Sequence, residues 1–177
     1  MLDYAYPTPL TLDQRFRLCL PVEAREGLTP GPDGVTSVVI GRLPEEPCLW
    51  LMTRERYAAF LQRISARAGD SASGRRLKTL LISNFSRVAM DAQGRLTLPE
   101  PLCRSVGIGK TVRLVGHGEE RTEIWATEAL QKVMQEEGPK ALDLLEDIFV
   151  AETAAQARNI DGAGPSAGVG EGSGRRG

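Results

Sequence analysis

Apolar and polar positions change period along this chain in the same order twice. "VTSVVIG" and "CLWLM" are short apolar runs, rich in β-branched residues in the first, and read as strands. After them, Tyr57, Phe60, Leu61 and Ile64 fall at i, i+3, i+4 and i+7, which predicts one apolar helix face behind a cap at Thr53. Later "TVRLVG" and "TEIWA" form a second strand pair around the turn "HGEER", and Leu130, Val133 and Met134 repeat the helical stripe after Thr127. Ahead of each strand pair lies a shorter alternating stretch. "RVAM" and "RLTL" flank the turn chemistry "DAQG", so residues 87–98 read as a hairpin ended by Pro99, and residues 10–20 read the same way. Each is followed by a short helical stretch, "PVEAREGL" or "PEPLCRSVG", the second begun near proline and closed by Gly107.

The correspondence extends to identities. "DQRFRLCLP" at 13–21 and "DAQGRLTLP" at 91–99 share Asp13 with Asp91, Arg17 with Arg95, Leu18 and Leu20 with Leu96 and Leu98, and Pro21 with Pro99, at a constant offset of 78. Met52 and Trp125 lie 73 apart instead, because the first copy carries the longer loop "TPGPDG". Two copies of one strand-rich unit are the simplest parse. It gives a first repeat with its helix over residues 1–68, a linker and connecting helix over 69–86, a second repeat with its helix over 87–137, a C-terminal helix over 138–158 and a Gly-rich tail over 159–177. The connecting helix follows "AGDSASG" and carries Leu77, Leu80 and Leu81 on one face. The C-terminal helix is expected to start with Pro139 in its first turn and to align Leu142, Leu145, Ile148 and Phe149. The tail buries too little apolar surface to order itself and is expected to be disordered.

Composition narrows the function classes. Among 177 residues, 41% are apolar, ordinary for a chain with a real core. No run is long enough to span a bilayer and the N-terminus lacks a secretory pattern, so a cytoplasmic location is expected. Cys19, Cys48 and Cys103 show neither close pairing nor a neighbouring His and are expected to be buried, reduced thiols, with no zinc site. The net charge of -1 hides an asymmetry: residues 54–87 hold eight basic side chains against two acidic, and residues 119–152 ten acidic against three basic. Such separation can present one sign to a polyanion, or can be two solvated helix faces.

The repeated Asp-x-x-x-Arg stretch carries the chemistry. Asp can accept from turn amides and from the guanidinium, fixing its direction, while Arg has donors to spare for an outward partner. Two copies offer two positioned cations at a fixed spacing, useful against duplex DNA, where Arg also reads guanine edges. The bland alternative is a pair that only staples a turn.

The double pattern, "LDQRFRLCLP" and "MDAQGRLTLP" joined by "RRLKTLLISNFSRVAMD", resembles the MraZ family of bacterial transcriptional regulators, within the AbrB-like swapped-hairpin group, over roughly residues 11–137. The resemblance implies an α+β fold, a double-repeat swapped-hairpin, pseudo-twofold β-barrel with flanking helices. It further implies a ring-shaped homo-oligomer, nucleoid-associated in the cytoplasm, that binds double-stranded DNA with short direct repeats upstream of the division and cell-wall gene cluster. DNA contacts would come from Arg15, Arg17 and Arg95, supported by Asp13, Asp91 and Gly94. The family's usual glycine before the first-copy arginine is Phe16 here, Arg15 stands where lysine is common, and "MLDYAYPTP" replaces the usual lead-in.

Other residues read blandly. His117 sits in a turn without an evident acid or nucleophile, Trp50 and Trp125 belong in the core, "GIGK" at 107–110 is a turn, and the Glu-rich segment after 135 lacks metal-ligand spacing. No cofactor and no enzymatic activity are expected. The competing function is an oligomeric scaffold, or a degenerate relative, that does not bind DNA.

Overall fold

The computed structural model describes residues 5–118 and 120–161, with side chains up to residue 150. One compact unit runs to Lys132 and another begins at Val133. The chain is α+β. In order, its elements are β1 (Leu10–Thr11), β2 (Arg17–Cys19), α1 (Val22–Arg25), β3 (Ser37–Gly41), β4 (Cys48–Thr53), α2 (Arg54–Ala68), α3 (Ala72–Ser83), β5 (Phe85–Ala89), β6 (Arg95–Thr97), α4 (Glu100–Ser105), β7 (Thr111–His117), β8 (Arg121–Ala126) and α5 (Thr127–Asp161).

The expected strands and helices form, but two pairings differ from the hairpin reading. β1 pairs with β7, not with β2, and β5 pairs with β3, so that of the expected second hairpin only the isolated bridge between Met90 and Leu96 forms. β2 and β6 leave the main sheet and pair with each other, antiparallel, as a separate two-stranded ribbon. Each turn is therefore tight but joins two sheets instead of closing a ladder. Period-two alternation fixes which face a strand buries and not which strand it meets, so the sequence pattern fits both arrangements.

The main sheet has the order β1-β7-β8-β4-β3-β5, every pairing antiparallel. Matching β1 with β5, β3 with β7 and β4 with β8 turns this order into its own reverse, so an internal pseudo-twofold passes between β4 and β8. The register obeys it: Leu10 faces Val112, and Val88, 78 residues after Leu10, faces Val38. The same axis passes between Leu18 and Leu96, which face each other in the ribbon.

Burial explains why the ribbon stays. Leu18, Leu20, Leu96 and Leu98 project into one cluster with Val38, Ile40, Leu49, Leu51, Val112, Leu114 and Ile124 of the sheet. Fully burying one such side chain contributes about 1.5–3 kcal/mol. The opposite face of β3 and β4 is covered too. Phe60 of α2 meets Trp50 edge-on with ring centroids 5.9 Å apart, and Tyr57 lies 5.1 Å from Phe85. β3 is buried at every position as a result.

Thr53 caps α2 by accepting from the Arg56 amide at 3.2 Å, as its sequence position predicts. The segment "AGDSASG" forms a sharp corner. Ser71 caps α3 through the Gly74 amide at 3.0 Å, and Gly74 packs so closely on the end of α2 that a Cβ there would stand 2.4 Å from the Ala68 carbonyl oxygen. α5 corrects the expected helix break. It is continuous, with Pro139 inside it and not in a first turn. Proline's φ suits a helix, and Gly138 removes the Cβ part of the clash that usually bars helix before proline. The helix reaches residue 161, three residues into the segment expected to be tail, and the rest of that segment lies outside the described residues.

Cys48 and Cys103 are buried, and burial pushes their thiols up to about 12 and about 11. Cys19 is exposed, contrary to expectation, because in the ribbon it alternates with buried Leu18 and faces out. Trp50 and Trp125 are both in the core.

Candidate nucleic-acid interface

The two Asp-x-x-x-Arg turns have nearly superimposable bonding. Asp13 accepts from the amides of Arg15 and Arg17 at 2.9 and 3.0 Å and from Arg17 Nε at 2.6 Å. Asp91 accepts from the amides of Gln93 and Arg95, both at 2.9 Å, and from Arg95 Nε at 2.7 Å. Each Asp amide also donates to the carbonyl of its own Arg. The carboxylate thus binds both the turn backbone and the cation, as the sequence spacing suggests.

These contacts hold both carboxyls below their ordinary value. At Asp13 the Arg17 amide is the main cause, with the Arg17 side chain and Arg15 amide adding to it against a partial desolvation. At Asp91 the Arg95 amide leads, followed by the Arg95 side chain, and the Gln93 amide adds to it. Both Asp residues are therefore anionic at neutral pH and keep each guanidinium in a fixed direction.

Strand pairing brings the two cations together. Arg17 faces Thr97 and Arg95 faces Cys19, with buried Leu18 and Leu96 between them. In a pleated pair all four flanking residues then point away from the core, and each is exposed. Arg17 and Arg95 are diagonal neighbours, a relation that spaces Cα atoms by about 7–8 Å. Each arginine keeps 43% of its side chain exposed even while bonded to its Asp. Arg15 is exposed in the first turn, at the end of the ribbon where β2 begins, and the corresponding place in the second turn is held by Gln93.

Phe16 and Gly94 occupy equivalent positions and both adopt left-handed backbone, with φ of 56° and 80°. The first turn therefore keeps the glycine geometry without a glycine. Phe16 packs part of its ring on the core, which offsets a backbone cost of about 1–2 kcal/mol.

Two further cations flank these turns, and the sequence alone gives them no distinction. Arg25 of α1 lies against Gly94, and Arg104 of α4 lines a groove of about 560 Å³ with Phe16, Asp13 and Lys110. The basic run from 54 to 87 is less available than its count suggests. Arg87 bonds to Asp33 at 2.7 Å, Arg63 reaches Glu120 at 3.4 Å, and Arg75 donates to the Asp70 carbonyl.

His117 does have an acidic partner, across the β7–β8 turn: its Nε2 lies 3.1 Å from Glu123. Glu123 is buried and also accepts from Arg121 and from Trp125 Nε1. The cluster ties the hairpin together and brings no nucleophile to the histidine. Among the described residues no group of His, Cys, Asp and Glu could hold a metal ion, and no helix is long and apolar enough to cross a membrane.

No family model matches the chain. Curated proteins do. It is 31% identical to the transcriptional regulator MraZ of Coxiella burnetii over 140 residues, which cover 77% of this chain and 90% of that protein. It is 29% identical to the transcriptional regulators MraZ of Nitrosococcus oceani and of Methylococcus capsulatus, over 78% of this chain in both cases and 91% and 90% of theirs. The chain belongs to the MraZ family.

Proposed function

We propose that the protein is a sequence-specific, DNA-binding transcriptional regulator that acts through the outward face of the β2–β6 ribbon. The observation that carries this reading is the convergence there of Arg17 and Arg95, each aimed by its own Asp. A two-stranded ribbon fits the major groove, where arginine reads guanine and also engages phosphate. Arg15 extends the cationic surface at one end, and Gly94 gives the second turn its backbone shape.

The exchange of β1 and β5 between the copies supports a swapped-hairpin fold of two repeats, 1–68 and 87–137, joined through 69–86. The assembly in this proposal is a homo-oligomeric ring in the cytoplasm, associated with the nucleoid. Exposed Leu77, Leu80 and Ile82 on α3 supply apolar surface for it, and so, separately, do Leu142, Leu145 and Ile148 on α5. The target is the set of direct repeats upstream of the division and cell-wall gene cluster. A scaffold without DNA affinity would need no directed arginines on an exposed face.

Fluorescence anisotropy of the purified protein with DNA from its own upstream region, against the same bases shuffled, tests the reading. Preference for the native order is the expected result. Equal affinity for both would reject sequence-specific binding, and sedimentation as a clean monomer at micromolar concentration would reject the ring.

A further inference from the structure

The two turns share their Asp-Arg bonding and differ in what supports them from behind. In the second turn the support is Arg25, contributed by the first copy. A Cβ on Gly94 would stand 2.5 Å from Arg25 Cζ and 2.6 Å from its Nε, so the guanidinium lies directly against the bare backbone of the turn. Arg25 Nε donates to the Leu20 carbonyl at 2.9 Å, and the Leu20 amide donates to the Gly94 carbonyl, also at 2.9 Å. Turn, ribbon end and α1 are thereby joined in one closed set of contacts.

The first turn has half of this set. The Leu98 amide donates to the Phe16 carbonyl at 2.9 Å, the counterpart of the Leu20 bond. The cation on the matching short helix is Arg104, which follows buried Cys103 as Arg25 follows buried Ala24, although the longer α4 gives no residue-for-residue match. Arg104 Nε, however, donates to Glu100 Oε1 at 2.9 Å. Phe16 carries a side chain at the place that glycine leaves open in the second turn, so an arginine cannot lie flat on that backbone.

We propose that Arg25 is a positioning residue of the DNA interface: through its flat contact with Gly94 and its bond to Leu20 it holds the Asp91–Arg95 turn, and hence Arg95, in its reading direction. This rests on the DNA-binding function proposed above and assigns a role to a residue outside the repeated motif. A planar guanidinium can lie on a peptide and bond edgewise at once, whereas an ammonium cannot. Charge alone therefore does not replace it.

The decisive variant is Arg25→Lys, which keeps the charge and most of the stem. We expect about a tenfold loss of affinity for upstream-region DNA, as for a lost supporting contact. Shuffled DNA should change by less than about twofold, and the salt dependence should be unchanged. In an Arg95→Ala background the same change should cost less than about twofold, since the two residues act as a unit. Without DNA, amide exchange at Gly94 and Arg95 should accelerate about tenfold in the variant, with Phe16 and Arg17 as internal controls. Equal weakening of both DNAs, with a salt slope lower by about one, would overturn the proposal by making Arg25 a phosphate contact. Unchanged exchange at Gly94 and Arg95 would also overturn it. Should the wild-type protein fail to prefer its upstream region, the function proposed above fails, and the exchange measurement alone still decides whether Arg25 holds the turn.

Discussion

The first and second Asp-Arg turns are the same local structure made from different residues, and their comparison separates what a turn needs from what a site needs. Both carboxylates collect two amides and one guanidinium at similar distances. The turn itself tolerates Phe16 in left-handed backbone as well as Gly94. The surroundings do not: glycine admits Arg25, and phenylalanine trades that contact for core packing. Equal geometry at the motif thus conceals unequal support.

The largest expected difference concerns DNA. Arg95→Ala should weaken specific binding by about 1–3 kcal/mol, the range for a lost bidentate base contact. Arg17→Ala should weaken it less, because its turn lacks the Arg25 contact. Anisotropy titrations of both variants on upstream and shuffled DNA check this, and equal losses would erase the distinction between the copies.

Stability should show the next largest contrast. Gly94→Ala places a side chain in left-handed backbone and against Arg25, and should cost about 1–2 kcal/mol. Phe16→Gly relieves a similar backbone cost while surrendering a partly buried aromatic ring, roughly half of a full burial of about 1.5–3 kcal/mol. Its net effect should lie within about 1 kcal/mol of zero. Urea midpoints at unchanged slope measure both.

Asp91→Asn should act through Arg95. Affinity for upstream DNA should fall roughly threefold to tenfold, the coupling range for residues sharing a contact, while shuffled DNA binds no worse after loss of a negative charge. Stronger loss on shuffled DNA would contradict the positioning role.

The smallest effect is that of pH. Asp13 and Asp91 have folded pKa values below the ordinary 3.8, so their contribution is complete above that value and is lost as pH falls through the lower folded value. DNA affinity should accordingly stay level from about pH 8 to about pH 5, since neither the carboxylates nor the arginines change charge there. A step in that window would point to another group.

Much of this was legible in the sequence, for identifiable reasons. β3 and β4 are largely apolar runs buried on both faces, and β7 alternates buried Val112 and Leu114 with half-buried neighbours, patterns that need no partner to be recognised. The Asp-Arg bond is local, four residues apart, and so is visible in spacing. The pairing of Arg17 with Thr97 joins residues 80 positions apart, and nothing in either strand's alternation encodes it. Arg25 was equally silent: a basic residue ending a short helix is ordinary, and only the closeness of Gly94 singles it out. Pro139 misled because the usual rule for proline weakens when glycine precedes it.

The strand exchange also dictates an order of events during synthesis. β1 is made early, but its partner β7 begins about a hundred residues later, and β2 likewise waits for β6. At ribosomal rates of about 5–20 residues per second, β1 stays unpaired for roughly 5–20 seconds. The emerging first copy can therefore pair β3 with β4 on its own but nothing more. Its edges must remain open until the second copy supplies them, so neither half can serve as a finished template for the other.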